Sequence, residues 1–146
     1  MRKILVVIVL IGAVAYWLYS INLIEDIRIE LTLKKLEKLV EEKNFPWLAG
    51  YVSDTYSDSE GYCRSERLSW LENNAGIEKG IKVNFEKHSK KFDGRNKCHV
   101  EYVIRIGVPK SSGTYEAEQV IFKTVFQKEA DGNWRIVAGE EKKSGI

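Results

Sequence analysis

The chain of 146 residues is sparing with the residues that most sharply limit a fold or carry chemistry. It has two prolines, two cysteines, two histidines and one methionine. Two prolines leave long helices and strands uninterrupted. Two histidines and two cysteines, with no His/Cys/Asp/Glu cluster at ligand spacing, supply no metal site. The sequence holds no G-x-S-x-G elbow and no glycine-rich phosphate loop, so it gives no sign of a serine hydrolase or a nucleotide site. No cofactor is implied.

A local absence says more. From Ile4 to Ile24 the chain carries no charge at all (ILVVIVLIGAVAYWLYSINLI). A helix of that length spans roughly 31 Å at 1.5 Å per residue, against a bilayer core of about 30 Å. Residues 4–24 are therefore predicted to cross a membrane. Arg2 and Lys3 precede the segment, and Glu25 and Asp26 follow it. Basic flanks stay in the cytoplasm, so the N-terminus is expected inside and the C-terminal domain outside the cytoplasm. Tyr16, Trp17 and Tyr19 lie towards the far end, where amphipathic rings favour the headgroup zone. Cleavage after Ala13-Val14-Ala15 is the competing reading; it would leave a short apolar core and a greasy new terminus. The expected organisation is an anchor, residues 1–24, followed by one domain, residues 25–146.

The domain has no net charge. Two of the 23 Lys and Arg are Arg2 and Lys3, which leaves 21 against 21 acidic residues. Without a long-range positive field, nucleic acid is not an expected partner. Cys63 and Cys98 can form one disulfide outside the cytoplasm, or remain two small buried hydrophobes.

Helical periodicity comes first. Ile29, Leu33, Leu36 and Val40 share one face of a helix over about 25–43, continuous with the anchor, and Asn44 suits its left-handed end. Pro46 can open a second short helix with Trp47, Leu48 and Tyr51. A turn-rich stretch (SDTYSDSEG, 53–61) leads to a third helix over about 63–74, with Leu68 and Leu71 inward. The period then changes to two. Ile81, Val83 and Phe85 alternate with polar residues; Cys98, Val100, Tyr102, Ile104 and Ile106 share a face. Asp93-Gly94 and Asp131-Gly132 mark hairpin turns between long strands. Helices followed by an antiparallel sheet indicate α+β.

Apolar residues run consecutively in Tyr102-Val103-Ile104, Val120-Ile121-Phe122 and Ile136-Val137-Ala138, so both sheet faces should be covered. Helices cover one. A second copy of the chain would cover Val103, Ile121, Val125 and Val137 on the other; the alternative is a moderately apolar exposed face.

The helix LEKLVEEKNF, the turn SDTYSDSEG and the closing hairpin DGNWRIVAG resemble the nuclear transport factor 2-like (SnoaL-like, cystatin-like α+β) superfamily, over about residues 31–140. The resemblance implies a cone of three helices packed on a curved antiparallel sheet, with a pocket at the open end and dimerisation through the outer sheet face. It also implies two classes of function. One is a non-catalytic envelope domain that binds a protein partner or a small apolar ligand. The other is an isomerase or dehydratase using an Asp–Tyr pair. Asp54, Tyr56 and Asp58 fall where the turn approaches the cone mouth; local turn hydrogen bonds explain the same residues. Trp70 and Tyr102 are candidate pocket walls, or core aromatics. His88, placed near a hairpin tip, and His99 are expected at the surface. Lys90, Lys91, Arg95 and Lys97 can meet acidic groups or simply solvate a turn.

Overall fold

In a computed structural model the described residues are 2–75 and 81–143. The chain divides into two compact units, Met1–Leu33 and Lys34–Ile146. A single helix, α1 (Arg2–Glu41), starts in the first and ends in the second, as the uninterrupted periodicity predicts. In the first unit the apolar side chains from Ile4 to Ile11 are all exposed. The helix is long and apolar enough to cross a membrane, and none of its most apolar 18-residue stretch is buried.

In the second unit the end of α1 closes on backbone bonds. The Asn44 N–H donates to the Leu39 carbonyl at 2.9 Å and that of Lys43 to Val40 at 3.1 Å. This is the Schellman pattern, and the residue in the left-handed region is Lys43 (φ 55°), one position before the asparagine expected there. A left-handed lysine costs roughly 1–2 kcal/mol, offset by the two carbonyls it satisfies. Helix α2 (Phe45–Leu48) follows, with Pro46 in its first turn. A 3-10 turn, Ala49–Tyr51, leads to the turn segment. Helix α3 (Arg64–Ala75) begins where Glu66 reaches back to accept the Cys63 N–H at 2.8 Å, half of a capping box.

Four antiparallel strands complete the unit: β1 (Lys82–Asp93), β2 (Lys97–Pro109), β3 (Tyr115–Lys128) and β4 (Trp134–Lys143), in the order β1-β2-β3-β4. Both Asp-Gly turns place their glycines at positive φ, 69° at Gly94 and 83° at Gly132. Arg135 locks the second turn with two bonds to Asp131, at 2.7 and 3.0 Å. The inner face buries Cys98, Val100, Tyr102, Ile104, Phe126 and Trp134. The segment after the 3-10 turn runs along the outer edge of β4: the N–H groups of Ser53, Ser57 and Ser59 donate to the carbonyls of Ile136, Val137 and Gly139. An otherwise open sheet edge is thereby covered.

Two bulges alter the strict alternation. One lies between Phe85 and Lys87, the other opposite Val125 and Phe126. The first inserts Glu86, so Val83 and Phe85 and then His88, Lys90 and Phe92 face inward. His88 is therefore not near a hairpin tip as the sequence suggested. It pairs with Tyr102 at mid-strand, and its Nδ1 donates to Glu37 Oε1 of α1 at 2.9 Å, both side chains about four-fifths covered. Replacing His88 with alanine is expected to destabilise the fold by about 1–2 kcal/mol, read from denaturant unfolding of the full chain. The second bulge takes up Val137, whose carbonyl accepts from Ser57. On the outer face Val103 is already buried within one chain, and Glu101 with Lys123 and Glu86 with Arg105 form ion pairs at 3.6 and 2.8 Å.

Candidate functional site: an apolar cavity closed by an Asp–Tyr–Arg cluster

Between the inner sheet face and the helices lies a cavity of about 330 Å³. Leu36 and Val40 of α1, Leu68 and Leu71 of α3, and Ile104 and Phe122 of the sheet supply its apolar wall. Tyr102 lies among them, its ring edge-on to Phe85 at 5.3 Å. Across the sheet His88, Tyr102, Phe122 and Glu141 stand in one register row. Trp70 lines the cavity and remains partly exposed. A second depression, about 540 Å³, lies on the outer side and is bordered mainly by polar and charged residues, including Lys91, His99, Glu101 and Lys123.

Of the residues singled out in the sequence, Tyr56, Trp70 and Tyr102 meet at the inner cavity. Asp54 does not. Its side chain is 96% exposed, 3.9 Å from Arg64. The partner of Tyr56 is Asp58, whose Oδ2 accepts the phenol at 3.0 Å. The same oxygen accepts Arg67 Nε at 2.7 Å, while Oδ1 accepts the N–H groups of Glu60 and Tyr62 at 3.0 and 3.1 Å. Arg67 Nη2 continues to Glu60 at 2.7 Å, and its guanidinium lies over the Tyr62 ring at 4.5 Å. Gly139 makes room for this cluster: a Cβ there would come within 3.3 Å of the Tyr56 hydroxyl.

The cluster is electrostatically closed. Burial first, then the hydrogen bond and charge of Asp58, push the Tyr56 phenol up to about 12, against a smaller opposing pull from Arg67. Burial raises the Asp58 carboxyl, but Arg67, the Tyr62 N–H and the Tyr56 hydroxyl together hold it below the ordinary carboxylate range. The acid is thus ionised and filled by four donors, and the phenol is protonated and committed to it. Neither is poised to exchange protons with a ligand near neutral pH.

The raised phenol has a stability consequence. Its neutral form is favoured by folding, so its contribution is complete below the ordinary value near 10 and is lost as pH rises towards 12. Wild type is expected to lose on the order of 2 kcal/mol across that window by this route. A Tyr56→Phe variant, lower at neutral pH, should show less of that alkaline loss in unfolding curves recorded against pH.

The cysteines do not bridge. Both are free: Cys63 is exposed on the turn entering α3, and Cys98 is buried on β2 between its register partners Phe92 and Phe126. No cluster of three metal-ligating side chains occurs among the described residues.

No protein-family model and no curated protein matches the chain. Solved structures do. An uncharacterised protein with a cystatin-like fold from Caulobacter vibrioides superposes with a TM-score of 0.67 at 10% identity, covering 81% of this chain and 88% of its own. An NTF2-like protein with a cystatin-like fold from Novosphingobium aromaticivorans gives 0.65 at 14% identity, with 82% of each chain covered. The fold is NTF2-like. The association domain of C. elegans CaMKII shares it as well, with a TM-score of 0.65 at 14% identity over 84% of this chain and 98% of its own. The NTF2-like fold thus accounts for the order of helices and strands.

The sequence drew attention to Asp58 and Tyr56 but not to Arg67, the counter-charge of the acid. Arg67 stands on the next helix, and nothing in the spacing from 58 to 67 says that α3 will turn it back. The Glu37–His88 pair spans 51 positions and depends on the bulge at Glu86. Glu141 could have been placed only with the register of β4 in hand.

Proposed function

We propose that this chain is a single-pass membrane protein, anchored by residues 1–24 with its N-terminus in the cytoplasm, whose NTF2-like domain (residues 25–146) binds a small apolar ligand outside the cytoplasm without catalysing a reaction. The observation that carries this reading is the cavity of about 330 Å³. Most of its wall is aliphatic and aromatic, while its most buried acid, Asp58, is spent on the Tyr56 phenol and on Arg67. Pockets of this size and lining suit a ligand held mainly by apolar contact. The isomerase or dehydratase alternative needs an Asp–Tyr pair aimed into the cavity; Asp54 points to solvent, and Asp58 already accepts four hydrogen bonds.

A direct test titrates neutral, water-soluble phenylbutanol into the full chain in nanodiscs and follows methyl resonances of Leu36, Val40, Leu68, Leu71 and Ile104. Saturable shifts at these methyls, abolished in a cavity-filling Leu71→Trp variant, are expected. Shifts absent in wild type, or unchanged in the variant, would refute the ligand reading.

The partner reading of the domain falls to the outer sheet face. Val103, Ile121 and Val125 form an apolar strip there, divided by the Glu101–Lys123 pair, which stands between the Val103–Ile121 row and Val125. A second copy would present the same strip and the same opposed charges. Sedimentation of the full chain in detergent is expected to give a dimer, and Ile121→Lys a monomer; a monomeric wild type at high micromolar concentration would contradict it.

A further inference from the structure

The charges around the cavity are unequal in a way that bears on what can enter it. Four carboxylates, Asp58, Glu60, Glu140 and Glu141, are among the lining residues, against one guanidinium, Arg67. Arg67 directs Nε to Asp58 and Nη2 to Glu60, so it partners protein acids already. Glu141 differs from those two acids. It shares the inner face of the sheet with its register partner Phe122, lines the cavity, is solvent-accessible, and makes no hydrogen bond or ion pair among the described residues. Beside it the wall is aromatic, with Tyr102 one strand beyond Phe122 in the same row.

We infer that the cavity selects apolar ligands carrying a cationic head, a primary or quaternary amine, over otherwise identical anionic ones, with Glu141 as the group that meets the head. This rests on the ligand-binding reading above and adds the charge class. An anionic head would enter a region already in negative excess, where no described lining residue offers an uncommitted cation. A cationic head meets Glu141 in the register row that also holds Phe122 and Tyr102, and aromatic rings favour cations as well. Charges a few ångströms apart at a partly hydrated mouth are worth about one power of ten in affinity, so attraction for one head and repulsion of the other should separate the pair by at least that factor.

The test uses three probes of one shape: phenylbutylammonium, phenylbutanol and phenylbutyrate. Each is titrated into the full chain in nanodiscs of zwitterionic lipid at low ionic strength. The expected order is ammonium, then alcohol, then carboxylate, with about tenfold or more between the first and last. Glu141→Gln is expected to compress that ratio to within about threefold, as is added salt. Asp54→Asn, which removes an exposed charge away from the cavity, should leave it unchanged. Equal affinities, a preference for the carboxylate, or a ratio untouched by Glu141→Gln would overturn the selectivity while leaving the ligand reading intact. If phenylbutanol itself does not bind, the ligand reading falls and the selectivity with it.

Discussion

Replacing Asp58 with alanine is expected to destabilise the domain by about 3–5 kcal/mol, the usual consequence of removing one partner of a buried ion pair. The magnitude follows from the count of bonds lost. Asp58 is 4% exposed and takes the Tyr56 phenol, Arg67 Nε and two backbone N–H groups. Removing it leaves a guanidinium that is itself 19% exposed with only the more exposed Glu60 as counter-charge, and a phenol without its acceptor in an apolar pocket. Against a typical domain stability of 5–15 kcal/mol this is a large fraction, corresponding to a fall in Tm of roughly 10–20 °C. Asp58→Asn keeps the shape but not the charge, and should restore less than half of the loss. Asp54→Ala, four residues earlier, should change stability by less than about 0.5 kcal/mol, because its side chain is solvated. The pH dependence has a definite sign. The Asp58 carboxyl is held below its ordinary value in the fold, so its contribution is present above about pH 4 and is lost as pH falls through the lowered folded value. The gap between wild type and Asp58→Asn should therefore narrow in acid. Chemical unfolding of the full chain at pH 7 and pH 3 measures both effects; an Asp58→Ala variant within 1 kcal/mol of wild type would show that the cluster does not hold the fold.

The second large effect concerns the apolar segment. Thirteen of its residues are Ile, Leu or Val. At about 0.3–0.6 kcal/mol each near the centre of a bilayer, they favour insertion by roughly 4–8 kcal/mol, partly offset by Gly12, Ser20 and Asn22. A charged residue at the centre costs about 2.5–3.5 kcal/mol. Ile8→Lys together with Gly12→Arg should thus cancel most of the driving force, moving the protein from a carbonate-resistant membrane pellet to the soluble or aggregated fraction. Either substitution alone should reduce insertion only partially. A double variant that stays fully in the pellet would mean that residues 4–24 are not what holds the chain to lipid.

Much of the fold could be read directly from the sequence because its signals are local. Apolar spacing along 25–43 gave the continuation of α1, Pro46 the short α2, and the two Asp-Gly pairs the tight turns of both outer hairpins. Those turns pair β1 with β2 and β3 with β4. Less could be read wherever a single residue changed the parity of a strand. Alternation from Val83 carried through without interruption would put His88 on the solvent face; the extra residue Glu86 turns it towards Glu37. The triplet Ile136-Val137-Ala138 looked like a strand apolar on both faces, and part of the reason for it is the bulge that takes up Val137. At the cavity, Tyr102 was visible as an aromatic of the right strand parity and Tyr56 as part of the turn that approaches the helices and sheet. The choice between Asp54 and Asp58 was not visible. Both stand two positions from Tyr56, and only the approach of Arg67 from α3 distinguishes the buried acid from the solvated one.

The membrane-tethered arrangement is tested most directly by the two cysteines. A membrane-impermeant maleimide added to intact cells should modify Cys63, which is exposed, and leave the buried Cys98 untouched until denaturation. The expected result is a single label on protein that remains in the carbonate-washed membrane, with no increase when the cells are opened. Labelling that appears only after lysis, or a labelled chain in the soluble fraction, would contradict it.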